Sequence, residues 1–240
     1  MDITMRGVNV RQTDEKQRVY SDIYTAIVTL KLPPSTRMVE TRLAQALSTS
    51  RATVRDVLRE LSLVGLVEIQ PNKGAVVASP TRDEARDIMD MRFILEQEST
   101  SQAAQKITAE DIAELEKYIA DEQAAIDNDE YAKSLDCSLN FHLKLAKVCG
   151  NQFLVKSLQE MLGRSSLVFN MYSIKREGSC HCKEHTDILN LLRKKDHQGA
   201  RESMRLHLES LNSNLDLKEF DAENVDFESI FSKRISSDVD

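Results

Sequence analysis

The chain contains no run of about 18 apolar residues, so no membrane-spanning helix is expected. Its opening stretch, MDITMRGVNVRQTDEKQ, lacks the apolar core of a secretory signal, and the expected location is the cytoplasm. Cysteine is scarce: Cys137, Cys149, Cys180 and Cys182 are the 4 present, and in that compartment they are expected as reduced thiols. Only 7 glycines and 4 prolines occur, which argues against disorder and against an all-β design. No nucleophile motif, phosphate-binding loop or internal repeat is visible. What the chain does have is 41% hydrophobic and 30% charged residues over 240 positions. That suits a soluble, mostly helical protein with room for two domains.

The net charge of −7 is unevenly shared. Residues 1–79 carry 11 Lys and Arg against 8 Asp and Glu, while residues 80–240 carry 21 against 31. A mildly basic front and a strongly acidic rear point to different partners. Nucleic acid is plausible only for the front.

Periodicity divides the chain in the same place. Val19, Ile23, Ile27 and Leu30 recur at spacings of three and four, predicting an amphipathic helix over 12–30 that Lys31-Leu32-Pro33-Pro34 stops. A short second helix is expected from Glu40 to Leu47, then a turn at 48–50. Ser50 is a suitable N-cap for a third helix running to about Val64 and stopping at Gly65. Residues 66–70 and 75–78 read as two strands joined by the turn Pro71-Asn72-Lys73-Gly74. Three helices followed by a β-hairpin is the order of a winged helix-turn-helix. Beyond a boundary at Ser79-Pro80-Thr81-Arg82, almost everything has helical period. Helices are expected near 82–105, 109–127, 130–148, 151–172, 180–194 and 197–215, with a frayed acidic tail over 216–240. The fold class is therefore mostly α, a winged helix-turn-helix (1–79) followed by an all-helical bundle (80–215).

The third helix carries Arg51, Arg55 and Arg59 at spacings of four, within about 80° of one another around its axis. Val54, Val57, Leu58 and Leu61 fill a different sector. One face can pack while the other presents guanidinium groups, as a helix that enters a major groove must. Arginine matches the two acceptors of guanine. Ser50, Thr53 and Thr41 are suited to phosphates, and Lys73 and Gly74 at the hairpin tip suit a wing. The competing reading is a solvated face on which the arginines pair with Asp56 and Glu60. The position of the helix between a turn and a hairpin, in the basic part of the chain, favours DNA for Arg51 and Arg55 more than for Arg59.

Residues 18–78, from RVYSDIYTAIV to GAVVA, resemble the DNA-binding domain of the GntR family of bacterial transcription regulators. The matching landmarks are Leu32-Pro33-Pro34, Val39-Glu40 with Leu43-Ala44, Ser50-Arg51 with Val54-Arg55, Gly65-Leu66-Val67 and Asn72-Lys73-Gly74. The resemblance implies that Arg51 and Arg55 read the operator. It departs from the family at Ala52, where many members have Pro or Thr, and at Thr41, where some have a DNA-contacting Arg and this chain has Arg42 next door.

Residues 82–215 resemble the FCD ligand-binding domain of FadR-type members, through Arg92-Phe93-Ile94-Leu95-Glu96, Phe141-His142 with Gly150-Asn151, Glu184-His185, and His207-Leu208. The resemblance implies a metal site at His142, His185 and His207, which fall on three different predicted helices. Taken alone, each would read as a satisfied core or surface histidine. The family's usual aspartate one turn before the first histidine is replaced by Ser138. The site is thus a three-histidine centre for Zn or Ni completed by water, a weakened centre, or a metal-free pocket. A small organic acid, such as a sugar acid or amino-acid derivative, is the implied effector. Arg92 either pairs with its far end or makes a salt bridge to Glu96. Cys180-His181-Cys182 near His185 fits no standard zinc spacing and reads as incidental or redox-sensitive thiols.

The expected function is that of a DNA-binding homodimer, a repressor by family habit, reading a palindromic operator under effector control. A metal-dependent enzyme built on the three histidines, and an architectural DNA-binding dimer without effector, are the rival readings.

Overall fold

A computed structural model describes residues 10–70, 74–174 and 182–217. Lys73, Cys180, His181 and positions 218–240 of the expected tail lie outside the described residues. In the basic part, α1 (Val10–Val28) buries Val19, Ile23 and Ile27. It stops where Leu30 adopts φ +62. The short α2 (Glu40–Ala46) leads through a turn to α3 (Arg51–Leu63). As the sequence predicts, the Thr53 amide donates to Ser50 Oγ at 3.0 Å, satisfying one of the free N–H groups at the helix start.

Val54, Val57, Leu58 and Leu61 are all buried against α1 and α2. Burying four such side chains contributes roughly 1.5–3 kcal/mol each before chain entropy is counted. The helix ends at Gly65, with φ +71. Glycine is needed there twice over: the backbone is left-handed, and a Cβ would lie 2.3 Å from the Arg164 guanidinium carbon.

The wing differs from its sequence reading. Strands β2 (Val67–Gln70) and β3 (Gly74–Val77) form the expected hairpin, but β1 (Arg37–Met38) adds a third strand on the far side of β3. Arg37 stands opposite Val76 and Met38 opposite Ala75. A two-residue strand is too short to show any alternation, so periodicity passes over it.

The second part is built from α4 (Arg82–Lys106), α5 (Ala109–Asp127), α6 (Tyr131–Cys149), α7 (Gln152–Tyr172), α8 (Cys182–Arg193) and α9 (His197–Ser213). Their ends are set by local chemistry. Thr81 with Glu84 and Thr108 with Asp111 form reciprocal capping boxes, and Asn151 and Asp196 cap α7 and α9. Gly150 at φ +82 closes α6. Leu115, Phe141, Leu145, Ile188, Leu192, Met204 and Leu208 make the bundle core.

The two parts are packed on one another through α7. Leu167 is buried among the winged-helix core residues, and Arg164 Nε donates to the Val64 carbonyl at 3.0 Å, on the end of α3.

Candidate operator-reading helix and three-histidine centre

With its apolar face buried, α3 turns the other face outward. The side chains of Arg51, Arg55 and Arg59 are 62%, 48% and 65% exposed. Their ion pairs differ from the sequence expectation. Arg59 does lie 3.6 Å from Asp56, but Glu60 pairs with Lys16 of α1. Arg55 is held by Glu40, the first residue of α2, through Nε at 2.9 Å and Nη2 at 2.7 Å. Arg51 Nη2 approaches the same carboxylate at 3.8 Å.

The hydrogen bond from Arg55 is the main cause holding the Glu40 carboxyl below the usual range, with Arg51 and Arg59 adding to it. Thr41 and Arg42 are exposed on α2, Ser50 is exposed at the helix start, and Thr53 is half-buried beside it. Thr41, Arg51 and Gly74 line one open cavity of about 300 Å³ together with Arg37 of β1. Sequence reasoning missed Arg37, because the strand that brings it there was not legible.

His142 on α6, His185 on α8 and His207 on α9 converge. One ring nitrogen from each lies within 4.8 Å of the others, and all three residues are buried. Each Nδ1 faces a carboxylate: Glu96 for His142, Glu122 at 2.9 Å for His185, and Glu184 at 2.7 Å for His207. For His185 and His207, an Nδ1–H that donates to its carboxylate fixes the tautomer and leaves the Nε2 lone pair free. Burial is the leading cause that lowers the His142 pKa, which favours the neutral ring a metal requires.

His142 Nε2 and His207 Nε2 are 3.3 Å apart. A proton on one of the two nitrogens makes this a hydrogen bond; with both rings as Nδ1–H tautomers, two lone pairs face each other and a cation between them removes the repulsion. Ligand nitrogens at the corners of a tetrahedral zinc site, with Zn–N near 2.0–2.1 Å, are about 3.3 Å apart. The His185 Nε2 atom is buried and has no hydrogen-bond partner among the described residues. The residues present therefore fit a divalent transition metal.

Ser138, one turn before His142 on α6, is half-buried. Arg92 is 1% exposed, as is Glu96. Of the two roles open to it in the sequence, the Glu96 salt bridge is formed, at 2.6 Å from Nε, with Nη1 at 3.2 Å from Ser165 Oγ on α7. Burial would raise the Glu96 carboxyl, but Arg92 and His142 outweigh it and hold it well below the usual range. Cys182 is buried at the start of α8.

Two family models match the chain. The model for bacterial regulatory proteins of the gntR family matches residues 15–77, and the FCD domain model matches residues 87–210. The chain belongs to the GntR family and carries an FCD domain. Among curated proteins it is similar to the HTH-type transcriptional repressor RspR of Escherichia coli K12, at 23% identity over 212 residues, 88% of this chain and 92% of that one. It is 28% identical over 241 residues to the Uxu operon regulator of Haemophilus influenzae, covering 91% and 85% of the two chains. The fold is that of E. coli McbR/YncC, with TM-score 0.76, 20% identity and 83% of this chain covered against 95% of that one. A GntR regulator from Rhodococcus sp. RHA1 gives TM-score 0.73 at 19% identity, covering 83% and 96%.

This GntR/FCD protein is a transcription regulator, and its family and relatives are not enzymes. GntR regulators bind DNA, and FCD domains bind small-molecule effectors and can hold a metal ion. Within that frame, sequence reasoning found the three histidines but not the full set of acids behind them. Glu96 was visible as a partner for Arg92, one turn away. Glu122 and Glu184 carried no signal toward a histidine, since the pairings span 63 and 23 residues.

Proposed function

We propose that this protein is an effector-responsive repressor that binds a palindromic operator as a homodimer. Arg51 and Arg55 would read bases, and Thr41, Arg42, Ser50, Thr53, Lys73 and Gly74 would hold the backbone and groove. His142, His185 and His207 would hold one Zn or Ni. The ion would supply a Lewis-acidic position for a carboxylate oxygen of a small organic acid. The protein's own share is to orient the three rings through Glu96, Glu122 and Glu184 and to keep them neutral by burial.

The observation that carries the reading is the pairing, in one packed chain, of an outward arginine stripe with a buried imidazole cluster. Contacts run from one to the other: His142 faces Glu96, Glu96 holds Arg92, and Arg92 reaches Ser165 on α7. The preceding residue, Arg164, holds the end of α3. A change at the histidines thus has a route to the operator-reading helix, and coupling of this kind is typically about 1–3 kcal/mol. Met91 and Ile94, three residues apart on α4 and 40% and 66% exposed, supply apolar surface for a second copy.

Operator affinity is the test. Arg51→Ala and Arg55→Ala should each abolish specific binding in a gel shift while far-ultraviolet circular dichroism is unchanged. Small carboxylates should shift the affinity of the wild type but not of His185→Ala. Unchanged affinity in both arginine variants would defeat the operator assignment, and carboxylate responses unaltered in His185→Ala would defeat the effector assignment.

A further inference from the structure

The geometry points to Glu40 as a specificity-determining residue that sets the aim of Arg55 while the arginine reads a base. The inference rests on the reading of α3 as the operator-contacting helix.

Glu40 stands at the first position of α2, where a carboxylate is favoured by the helix dipole. Val39, the N-cap residue of that helix, provides no side-chain bond. Both carboxylate oxygens of Glu40 go across the turn to Arg55, Oε1 to Nε at 2.9 Å and Oε2 to Nη2 at 2.7 Å. The other two arginines of the stripe are held far less closely, Arg51 at 3.8 Å and Arg59 at 3.6 Å from their acids. One guanidinium of the three is therefore fixed by a two-point contact.

Which edge Glu40 takes decides between two roles. A guanidinium has five N–H groups, forming one fork from Nε and Nη2 and a second from Nη1 and Nη2. Guanine O6 and N7 accept from such a fork. Glu40 occupies the Nε–Nη2 fork. The two Nη1 hydrogens and the second Nη2 hydrogen are not engaged by it, so the end-on fork can meet a base while the carboxylate stays bound. A carboxylate on the end-on fork would have competed with DNA. On the side-on fork it stiffens the reader, so less rotamer freedom is lost on binding and neighbouring base positions are reached less readily. The same negative charge repels phosphate, so it weakens binding to any sequence. Glu40 thus raises discrimination by lowering non-specific affinity and supporting specific affinity at once.

Those opposite signs make the test. The full-length wild-type protein is used to select its operator from randomised duplex DNA. Dissociation constants are then measured for that operator, for versions with each guanine replaced, and for an unrelated duplex, at one fixed salt concentration. Glu40→Gln and Glu40→Ala should bind the selected operator about tenfold more weakly and the unrelated duplex equally or more tightly. The penalty for replacing one particular guanine should shrink. In an Arg55→Lys background the loss on adding Glu40→Gln should disappear, because a lysine offers no fork to hold. Equal tightening on both duplexes would overturn the inference and make Glu40 a simple electrostatic brake. Equal weakening on both, or a loss that persists in the Arg55→Lys background, would make it a structural residue and overturn the inference too. Selection of no sequence by the wild type would overturn the operator reading itself, a separate result.

Discussion

Replacing Glu96 by glutamine keeps the volume and removes the one negative charge that buried Arg92 and His142 both face. Both residues are 1% exposed. Arg92 has Glu96 at 2.6 Å, Ser165 Oγ at 3.2 Å and the Phe169 ring centroid 5.8 Å from its guanidinium carbon. Neither the hydroxyl nor the ring carries a full charge. Glu96→Gln therefore leaves a cation buried without a counter-ion, a change that costs about 3–5 kcal/mol. Against a total stability of about 5–15 kcal/mol, that is a large fraction. At roughly 2–4 °C per kcal/mol for a chain of this size, the melting temperature should fall by roughly 6–20 °C. The assay is thermal unfolding followed by circular dichroism at 222 nm. Adding Arg92→Met to Glu96→Gln removes the stranded cation, and the double variant should regain much of the loss, since well-packed apolar replacements of a buried pair are often neutral. Melting of Glu96→Gln within about 2 °C of wild type, a shift of less than about 1 kcal/mol, would refute the reasoning. So would a double variant as unstable as the sum of its parts.

Two further substitutions probe the frame around the sites. Gly65→Ala places a Cβ in a left-handed backbone against the Arg164 guanidinium, so it should destabilise by more than about 1 kcal/mol, and Arg164→Ala should relieve part of that when melting curves are compared. Lys144 joins α5 to α6 through Asp111 at 2.8 Å and Glu114 at 2.6 Å. Its hydrogen bond is the leading cause that lowers both acids' pKa values. Groups whose folded pKa is depressed add stability above their unfolded values, near 3.9 and 4.3, and lose it as pH falls through the folded ones. Lys144→Ala should thus cost roughly 0.5–1 kcal/mol at pH 7, as expected of a partly exposed network, and clearly less near pH 3. Urea unfolding at the two pH values checks it, and an equal cost at both would count against the ion pairs.

Local chemistry was legible in the sequence and juxtaposition was not. Ser50 at the start of α3 and Gly65 at its end act over three or four residues, so the chain declares them directly. The inward sector of α3 followed from 3.6-residue periodicity and holds residue by residue. The two-residue β1 had no period to show, and Arg37 was lost with it. Only the competing reading gave Arg55 an acidic partner, along its own helix, whereas the partner lies 15 residues earlier on α2, where the turn between the two helices brings it. His142, His185 and His207 could be named singly, but their meeting depends on how α6, α8 and α9 pack. Glu184 illustrates the same limit. Beside His185 in sequence, it points away from it and takes His207 instead.

The central claim is that the three imidazoles form a metal centre although Ser138 replaces the acid usual in the family. Elemental analysis of the purified, tag-free protein, counting bound metal per chain, tests it most directly. The account predicts about one Zn or Ni per chain, as a single three-imidazole site allows, retained through gel filtration and lost in His185→Ala. No metal, even after incubation with excess Zn or Ni, would contradict it and leave the histidines as a hydrogen-bonded core cluster.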